Sequence, residues 1–399
     1  MDMNDMEQKI QVCSRCVMDT SDPDIRFDEQ GVCNRCHDYD RLIAQYVYIG
    51  EDGQRRLNRV VEEIKEAGRG KKYDCLIGIS GGVDSSYVAY KVKEAGLRPL
   101  AVHLDNGWDS ELAVSNIHKA LNKLEIDLYT HVIDWEEFKD LQVAFLKAST
   151  PDSEIPSDHA IVSLMFRMAD EMGIKYVISG RNYRTETHVA AAWSMGHFDW
   201  KYIQNVHKMF GKVPLVTYPH RTPWEEEAFL RKQIWFDILN YVDYVKKDAM
   251  DILQNQLGWQ YYGGKHYESI YTRFFQGYIL PVKFGYDKRR GHLSSLICSG
   301  EISREEALEE LKKPTYAPSL QEEDLEYVVK KLGLTANEFE AIMRLPRKTI
   351  YDYPSYARDD RNLFRVSARR LYSIPRILKK HAKRIASRLL RTDSSKHNA

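Results

Sequence analysis

The stretch that decides the fold is Ser80-Gly81-Gly82-Val83-Asp84-Ser85-Ser86. An apolar run at residues 73–79 precedes it and is typical of a buried parallel strand. The residues that follow it, 87–94, are closed by Gly96 and predict a helix with a glycine stop. The sequence therefore predicts a strand, a glycine turn and a helix, with hydroxyl side chains and one carboxylate at the helix entrance.

The loop between this strand and helix has the composition of an anion site. Gly81 and Gly82 let backbone N–H groups approach an anion without Cβ interference, and a helix N-terminus adds partial positive charge. The spacing fits neither a Walker A loop nor the dinucleotide fingerprint, and a turn that merely needs glycine is the alternative. We expect the hydroxyl groups of Ser80, Ser85 and Ser86 to donate hydrogen bonds to phosphate. We expect the Asp84 carboxylate to act through Mg²⁺.

Four of the six cysteines form a second pattern, Cys13-x-x-Cys16 and Cys33-x-x-Cys36. This spacing predicts two metal-binding turns whose thiolates give Zn²⁺ its tetrahedral coordination. Two disulfides or an iron–sulfur cluster are the alternatives. We expect a structural zinc module, with the neighbouring His37 at the surface or behind the ligands.

Composition sets outer limits on function. The 58 basic side chains equal the 58 acidic ones, which excludes a globally basic nucleic-acid-binding protein but not a local basic patch. No apolar run approaches the length of a membrane span, and the acidic N-terminus is unlike a signal peptide. We therefore expect a cytoplasmic protein for which nucleic acid and membrane are unlikely partners.

Beyond the glycine loop, strand and helix patterns alternate. This alternation predicts an α/β fold with a doubly wound parallel sheet and ligands at the carboxyl ends of its strands. We expect an N-cap at Ser157 or Asp158 and one long amphipathic helix over residues 224–245. The remaining predicted strands are 99–104, 128–132 and 175–179, and the remaining helices are 110–124, 135–147 and 157–172.

Two further loops follow predicted strands, and a basic region lies later in the chain. The strand-end rule makes these loops candidates for nucleotide and metal ligands, although Asp105 is equally a turn-former. Basic residues interleaved with glycines and aromatics indicate a site for a phosphorylated, polyhydroxylated ligand, with a surface helix of ion pairs as the alternative. For the histidine-containing aromatic segment after Thr187, which includes His188, we expect packing and not a second metal site. The strand-end candidates are Asp105, Asn106, Gly180, Arg181, Asn182 and Glu186 (the last for Mg²⁺), and the basic ones are Lys265, His266, Arg273, Lys288 and Arg289.

These patterns divide the chain into five regions. They are a zinc-binding four-cysteine knuckle (1–40), a helical linker (41–72), the glycine-loop α/β core (73–187), a substrate-binding aromatic region (188–315) and a mainly helical C-terminal region (316–399). The basic stretch at 361–391 predicts a solvated, partner-docking or membrane-surface helix.

The glycine loop resembles the SGGxDS loop of the PP-loop ATP pyrophosphatases, which split ATP between its α- and β-phosphates. Together with the cysteine knuckles, Gly264-Lys265-His266-Tyr267-Glu268-Ser269 and residues 287–297, it resembles the N-acetyl sugar amidotransferases of bacterial surface-polysaccharide biosynthesis. The resemblance implies an adenine nucleotide alpha hydrolase-like fold, ATP with Mg²⁺, and conversion of a sugar N-acetyl group to an acetamidino group in lipopolysaccharide O-antigen biosynthesis. On this basis we expect catalytic roles for Asp84, Ser85, Lys265 and Arg289.

The source of ammonia is the remaining question. A glutaminase needs a nucleophilic cysteine, and the chain offers no good candidate. Residue 2, after the initiator Met, is Asp2 and not an N-terminal cysteine, Cys75 lies in an apolar strand, and Cys298 lacks the glycine-flanked elbow of a triad nucleophile. We expect glutaminase activity on a separate protein, and the resemblance implies partners similar to the glutaminase and cyclase of histidine biosynthesis. A tRNA-thiolating PP-loop ATPase and a non-catalytic ATP-binding assembly factor are the alternatives.

Overall fold

The computed structural model describes residues 10–359, so the predicted basic helix at 361–391 lies outside the described residues. At its centre is a five-stranded sheet in which every pair of neighbouring strands is parallel, in the order β3-β2-β1-β4-β5. The strands are β1 (Cys75–Gly78), β2 (Pro99–Asp105), β3 (Asp127–Val132), β4 (Tyr176–Ser179) and β5 (Ile234–Asp237).

Helices connect and cover these strands, which confirms the predicted α/β class. The chain builds outward from β1 to β3, then returns to the other side of β1 for β4 and β5. This reversal places a crevice between β1 and β4 at the carboxyl ends of the strands, where open α/β sheets bind ligands. The helices are α1 (Asn34–Tyr46), α2 (Gly50–Ala67), α3 (Val83–Glu94), α4 (Glu111–Leu124), α5 (Trp135–Ala148), α6 (Ile155–Glu171), α7 (Trp200–Phe210), α8 (Pro223–Lys232), α9 (Lys246–Leu257), α10 (Ile270–Phe274, continued by a π-helix, Phe275–Phe284), α11 (Arg289–Ser299), α12 (Arg304–Lys312), α13 (Pro318–Lys331), α14 (Ala336–Arg344) and α15 (Tyr356–Asp359).

The central strands β1, β2 and β4 are buried on both faces because successive strand residues enter different cores. Leu76 and Val177 pack with α5, α6 and the C-terminal helices, whereas Ile77 and Ile178 pack with α3, α4 and α9. Continuous apolar strands of this kind are what a parallel sheet between two helical layers requires. The layers leave the strand ends and the largely exposed edge strand β3 accessible to ligands.

The predicted long helix over 224–245 is wrong. A capping box between Thr222 and Glu225 starts α8, which ends at Lys232, and β5 then pairs with β4. A short apolar run such as Ile234–Asp237 fits a buried strand as well as a helix turn, so periodicity alone does not separate them. The sheet consequently extends beyond the predicted 73–187 core.

Two helix boundaries also differ from expectation. α6 begins at Ile155, with Pro156 in its first turn, and not at the predicted cap Ser157. Proline suits a first helical turn because the N–H it lacks would have no partner there. The predicted linker helix is two helices, α1 and α2, separated at residues 47–49.

The cysteine module packs against the C-terminal part of the chain. The Val17 N–H donates to Ser294 Oγ over 3.2 Å, and Arg290 pairs with Asp19 at 3.0 Å. The Arg304 guanidinium donates to the carbonyl oxygens of Cys13 and Cys16 at 2.9 and 3.0 Å. The module is therefore held by α11 and α12. Within residues 10–359, no helix is both long and apolar enough to cross a bilayer.

Candidate active site

The glycine loop lies between β1 and α3, at the crevice of the sheet. Gly81 has φ +76°, a backbone conformation that favours glycine. A Cβ there would also lie 2.5 Å from the carbonyl oxygen of Ala113, so a larger residue would collide. Ser85 Oγ accepts from the Ser80 N–H over 3.2 Å, and Ser80 Oγ accepts from the Gly82 N–H over 3.3 Å. These hydroxyls hold the loop open around the first turn of α3.

A later segment, residues 258–270, crosses the same strand ends and braces the loop. The Trp259 indole N–H donates to the Gly81 carbonyl over 2.9 Å, and the Tyr262 hydroxyl accepts from the Val83 N–H over 3.2 Å. Ser86, by contrast, is fully buried, and its Oγ has no hydrogen-bond partner in the described part of the chain. Of the predicted phosphate donors, Ser80 and Ser85 shape the loop, and Ser86 lies beneath it.

A cavity of about 270 Å³ opens beside the loop at the end of β2. It is lined by His103, Asp105 and Asp109, with apolar contacts from Ile117 and Leu128. Asp105 accepts from the Gly107 N–H over 2.9 Å and therefore also forms the turn that was its alternative reading. Asn106 faces α6 instead, where its amide donates to Ser157 Oγ over 3.3 Å.

His103 joins this cavity to the glycine loop. Its Nδ1 lies 2.9 Å from the Ile79 carbonyl, which only accepts, and its Nε2 lies 3.1 Å from Asp109 Oδ2. Burial alone would lower the pKa of His103, but the Asp109 carboxylate outweighs it and raises that pKa. A ring protonated at both nitrogens satisfies both acceptors, which is the form that the raised pKa favours.

Four charged side chains meet next to the loop, and we call Asp84, Glu186, Lys246 and Lys265 the charged centre. Asp84, in the first turn of α3, accepts from the Tyr244 hydroxyl. Lys265 Nζ lies 3.3 Å from Glu186 Oε1. Sequence analysis indicated three of the four, and the structure brings them together.

Burial sets the protonation balance of this centre. Burial and then the Glu186 carboxylate raise the pKa of Asp84. Burial would also raise the pKa of Glu186, but the Lys265 ammonium outweighs it and lowers that pKa. Burial lowers the pKa of Lys246. Two half-buried carboxylates beside two amines form a site whose charges can respond to a bound ion or ligand.

His292 on α11 completes the surroundings of Lys265. Its Nδ1 lies 3.5 Å from Lys265 Nζ, and burial together with the two nearby lysines lowers its pKa well below the ordinary value. A neutral ring accepts from the ammonium and thereby orients it.

The loop after β4 closes the crevice from the other side. A Cβ on Gly180 would stand 3.4 Å from Asp84 atoms, so the two strand-end loops are in contact. Arg181 Nε lies 3.5 Å from Asp237 Oδ2, and Asn182 Oδ1 accepts from the Thr185 N–H over 2.8 Å. Asn182 thus fixes the turn that leads to Glu186.

The predicted basic residues separate into two groups. Arg273 makes a two-pronged ion pair with Asp324 (2.7 Å for both bonds), and Arg289 binds Asp287 and the carbonyl oxygens at the end of α12. Both are engaged within the C-terminal helices. Lys265 and His266, which has φ +64°, lie at the charged centre.

Lys288 lies near a second group of polar side chains, at the start of α6. Burial raises the pKa of Glu154, and Lys288 opposes the rise. Burial would lower the pKa of His197, but Asp158, 3.0 Å away, outweighs it and raises that pKa to about 9. We call Glu154, Asp158, His197 and Lys288 the α6 pocket. His266 is near enough to help lower the pKa of Asp158, so the pocket adjoins the charged centre.

The four predicted metal ligands form one cluster. Their sulfur atoms all lie within 4.8 Å of one another, and three of the pairs are 3.7 to 4.0 Å apart. Tetrahedral zinc with bonds of about 2.3 Å separates its sulfurs by about 3.8 Å, so the cluster is compatible with zinc. All six cysteines are described and none forms a disulfide. His37 bonds Asp28 at the surface, as expected.

Sequence reasoning missed several residues of this site. Tyr244 and Lys246 follow β5, and because that strand was taken for part of a helix, the strand-end rule was not applied there. Glu268, whose buried Oε2 has no hydrogen-bond partner in the described part of the chain, and Tyr262 lay in a region for which only a basic ligand surface was expected. Their positions depend on long-range packing.

Comparison with known proteins gives a family for part of the chain. Residues 268–367 match the family model described as LPS biosynthesis protein WbpG-like, C-terminal domain. An uncharacterised protein of Methanocaldococcus jannaschii is 23% identical over 314 residues, covering 78% of this chain and 96% of the relative. The tRNA-specific 2-thiouridylase MnmA 1 of Clostridium botulinum (strain Langeland) is 31% identical over 139 residues, covering 29% of this chain and 38% of the relative.

Solved structures give weaker similarities. The NH3-dependent NAD synthetase of Campylobacter jejuni has a TM-score of 0.29 at 14% identity, covering 74% of this chain and 99% of that one. The NMN synthetase of Francisella tularensis has a TM-score of 0.27 at 15% identity, covering 52% and 94%. Scores at this level carry no functional argument. The match of residues 268–367 to the C-terminal domain of WbpG-like LPS biosynthesis proteins supports the resemblance drawn from the sequence motifs.

Proposed function

We propose that this chain is a cytoplasmic ATP-dependent amidotransferase that converts an N-acetyl group of a bacterial surface sugar to an acetamidino group. The observation that carries the proposal is the charged centre. It lies beside the glycine loop at the sheet's switch point, and Lys265 from the later segment reaches into it. The WbpG-like domain supports a substrate from surface-polysaccharide biosynthesis.

The reaction follows from the weak electrophilicity of an amide. The amide oxygen attacks the α-phosphorus of ATP and pyrophosphate leaves; ammonia then adds to the activated carbon and AMP departs with the former amide oxygen. The loop N–H groups and the start of α3 bind the pyrophosphate part of ATP, and the cavity beside His103 binds its adenine base. Lys265 and Lys246 neutralise the charge that develops on phosphate.

Asp84 and Glu186 fit a magnesium ion because two half-buried neighbouring carboxylates at the crevice supply the oxygen ligands Mg²⁺ prefers. Mg²⁺ would neutralise phosphate charge there. The α6 pocket adjoins the centre and offers charged groups to a sugar. Cys75 is buried in β1 and Cys298 packs against Cys36, which supports ammonia supply by a separate glutaminase with a cyclase-like channelling subunit.

The test is pyrophosphate release from ATP and Mg²⁺ with ammonium and a panel of N-acetylated sugars, with product mass recorded. We expect sugar-dependent release and a product about one mass unit lighter, because oxygen is replaced by NH. Asp84→Asn should reduce release by about 100-fold or more. The matched control Asp251→Asn, an exposed carboxylate on α9, should leave the rate unchanged.

Two results would contradict the proposal. Release that depends on unmodified tRNA and a sulfur donor would assign the chain to the thiolation enzymes, one of which is similar to 29% of this chain. ATP binding without release under any of these conditions would favour a non-catalytic assembly factor.

A further inference from the structure

A second group of metal-binding atoms adjoins the four-cysteine cluster. Cys298 Sγ, on α11, lies 3.8 Å from Cys36 Sγ and 3.7 Å from His188 Nε2. The three ligand atoms all lie within 4.8 Å of one another. His188 is fully buried, so this group is enclosed between the cysteine module and the C-terminal helices.

The hydrogen bonds of Ser295 fix the state of the His188 ring. Ser295 Oγ donates its only proton to the Gly291 carbonyl over 3.2 Å. The same oxygen lies 3.1 Å from His188 Nδ1 and, with its proton directed at Gly291, accepts from the protonated Nδ1. The lone pair of Nε2 therefore points at Cys298. A hydrogen bond from the far ring nitrogen is what orients metal-binding histidines in proteins.

The distances also match a metal centre. Zinc bonds of about 2.3 Å to sulfur and about 2.0 Å to nitrogen place tetrahedral ligands about 3.8 Å (S–S) and about 3.5 Å (S–N) apart. The Cys36–Cys298 and Cys298–His188 separations are 3.8 and 3.7 Å. Ordinary packing of a thiol against an imidazole imposes no such agreement on both.

We propose that Cys36, Cys298 and His188 bind a second thiolate-preferring divalent ion, such as Zn²⁺, and that the Cys36 thiolate bridges it to the ion of the four-cysteine cluster. Binding displaces the thiol proton of Cys298 to solvent. Five thiolates with two divalent ions carry one net negative charge, against two for four thiolates with one ion, so the second ion relieves charge in a buried place. In the absence of metal, as in the packing role that the sequence favoured for His188, this lone pair would accept only from the Cys298 thiol.

The test is the metal stoichiometry of the full-length protein. Metal-free reduced protein is titrated with Co²⁺, the thiolate-to-cobalt absorption is followed, and bound metal is measured after gel filtration. We expect two ions per chain in the wild type and one in Cys298→Ser. Cys75→Ala, which removes a buried cysteine in β1 remote from the cluster, should retain two. One ion per chain at saturation in the wild type, or two in Cys298→Ser, overturns the proposal.

A second variant tests the site without relying on correct folding of Cys298→Ser. Ser295→Ala keeps all ligands but removes the acceptor of the His188 ring proton. We expect the second ion to bind about 10- to 100-fold more weakly while the first is unaffected. Unchanged affinity for both ions would contradict the proposed role of His188. These experiments measure bound metal and not catalysis, so their outcome does not depend on the proposed reaction.

Discussion

The glycine loop (residues 80–86) and the charged centre are neighbours that share Asp84, but they are built differently. The loop is contiguous, and its hydroxyls bond its own backbone. The charged centre takes one residue each from α3, the loop after β4, the start of α9 and the segment before α10. A local structure can be recognised from local sequence, whereas an assembled one depends on how remote segments pack.

The largest effect should come from breaking the assembled region. Lys265→Met removes the cation that balances Glu186, so the two carboxylates of the centre lose a neutralising partner. We expect kcat for pyrophosphate release to fall by about 10²- to 10³-fold while ATP affinity changes much less. Single-turnover assays and equilibrium ATP binding separate these quantities. Lys247→Met, an exposed neighbour of Lys246, is the control, and an equal loss there would contradict the assignment.

The next effect should come from breaking the contiguous region. Gly81→Ala forces a Cβ to within 2.5 Å of the Ala113 carbonyl, so the loop must shift. We expect ATP to bind about 100-fold more weakly, measured by calorimetry. Gly258→Ala, also at positive φ but with no atom within 4 Å of its Cβ, separates backbone strain from collision. Gly258→Ala should lower the free energy of unfolding by about 1 kcal/mol and leave ATP affinity unchanged. If it weakened ATP binding as much as Gly81→Ala does, collision with Ala113 would not be the cause of the loss.

A smaller effect tests the contact between the two regions. Tyr262→Phe removes the hydroxyl that accepts from the Val83 N–H at the start of α3. The loss of one neutral hydrogen bond should weaken ATP binding by about 5- to 10-fold. Tyr261→Phe, at the exposed neighbouring ring, should have no effect. If both variants bind ATP like the wild type, the later segment does not support the loop.

The smallest effect concerns the cavity beside the loop. In Asp109→Asn, His103 loses the carboxylate that raises its pKa. Because folding raises the pKa of His103, protonation of this ring stabilises the folded protein. The stabilisation is complete below the pKa of the unfolded state, about 6.5, and is lost as the pH rises through the pKa of the folded state. We expect the variant to be about 1 kcal/mol less stable at about pH 6 and nearly equal at about pH 9, by urea unfolding. A deficit independent of pH would show that charge is not involved.

The contrast also explains how much of the protein could be predicted from sequence. The strand–loop–helix around Gly81, the four-cysteine cluster and the parallel sheet depend on periodicity and spacing, and the structure bears them out. Strand β5 could not be distinguished from a helix turn by periodicity, so Tyr244 and Lys246 were missed with it. Arg273 and Arg289 remain predicted ligand residues, but their partners, Asp324 for Arg273 and Asp287 with the carbonyl oxygens at the end of α12 for Arg289, could not be read from composition.

The docking of the cysteine module has a consequence for synthesis of the chain. The module is complete by Cys36, yet the Val17–Ser294 bond joins residues 277 positions apart. At roughly 5 to 20 residues per second, a ribosome needs roughly 10 to 50 s to make the helices that cover it. The four thiols of the nascent module are therefore accessible to a metal ion throughout that interval, before the helices cover them.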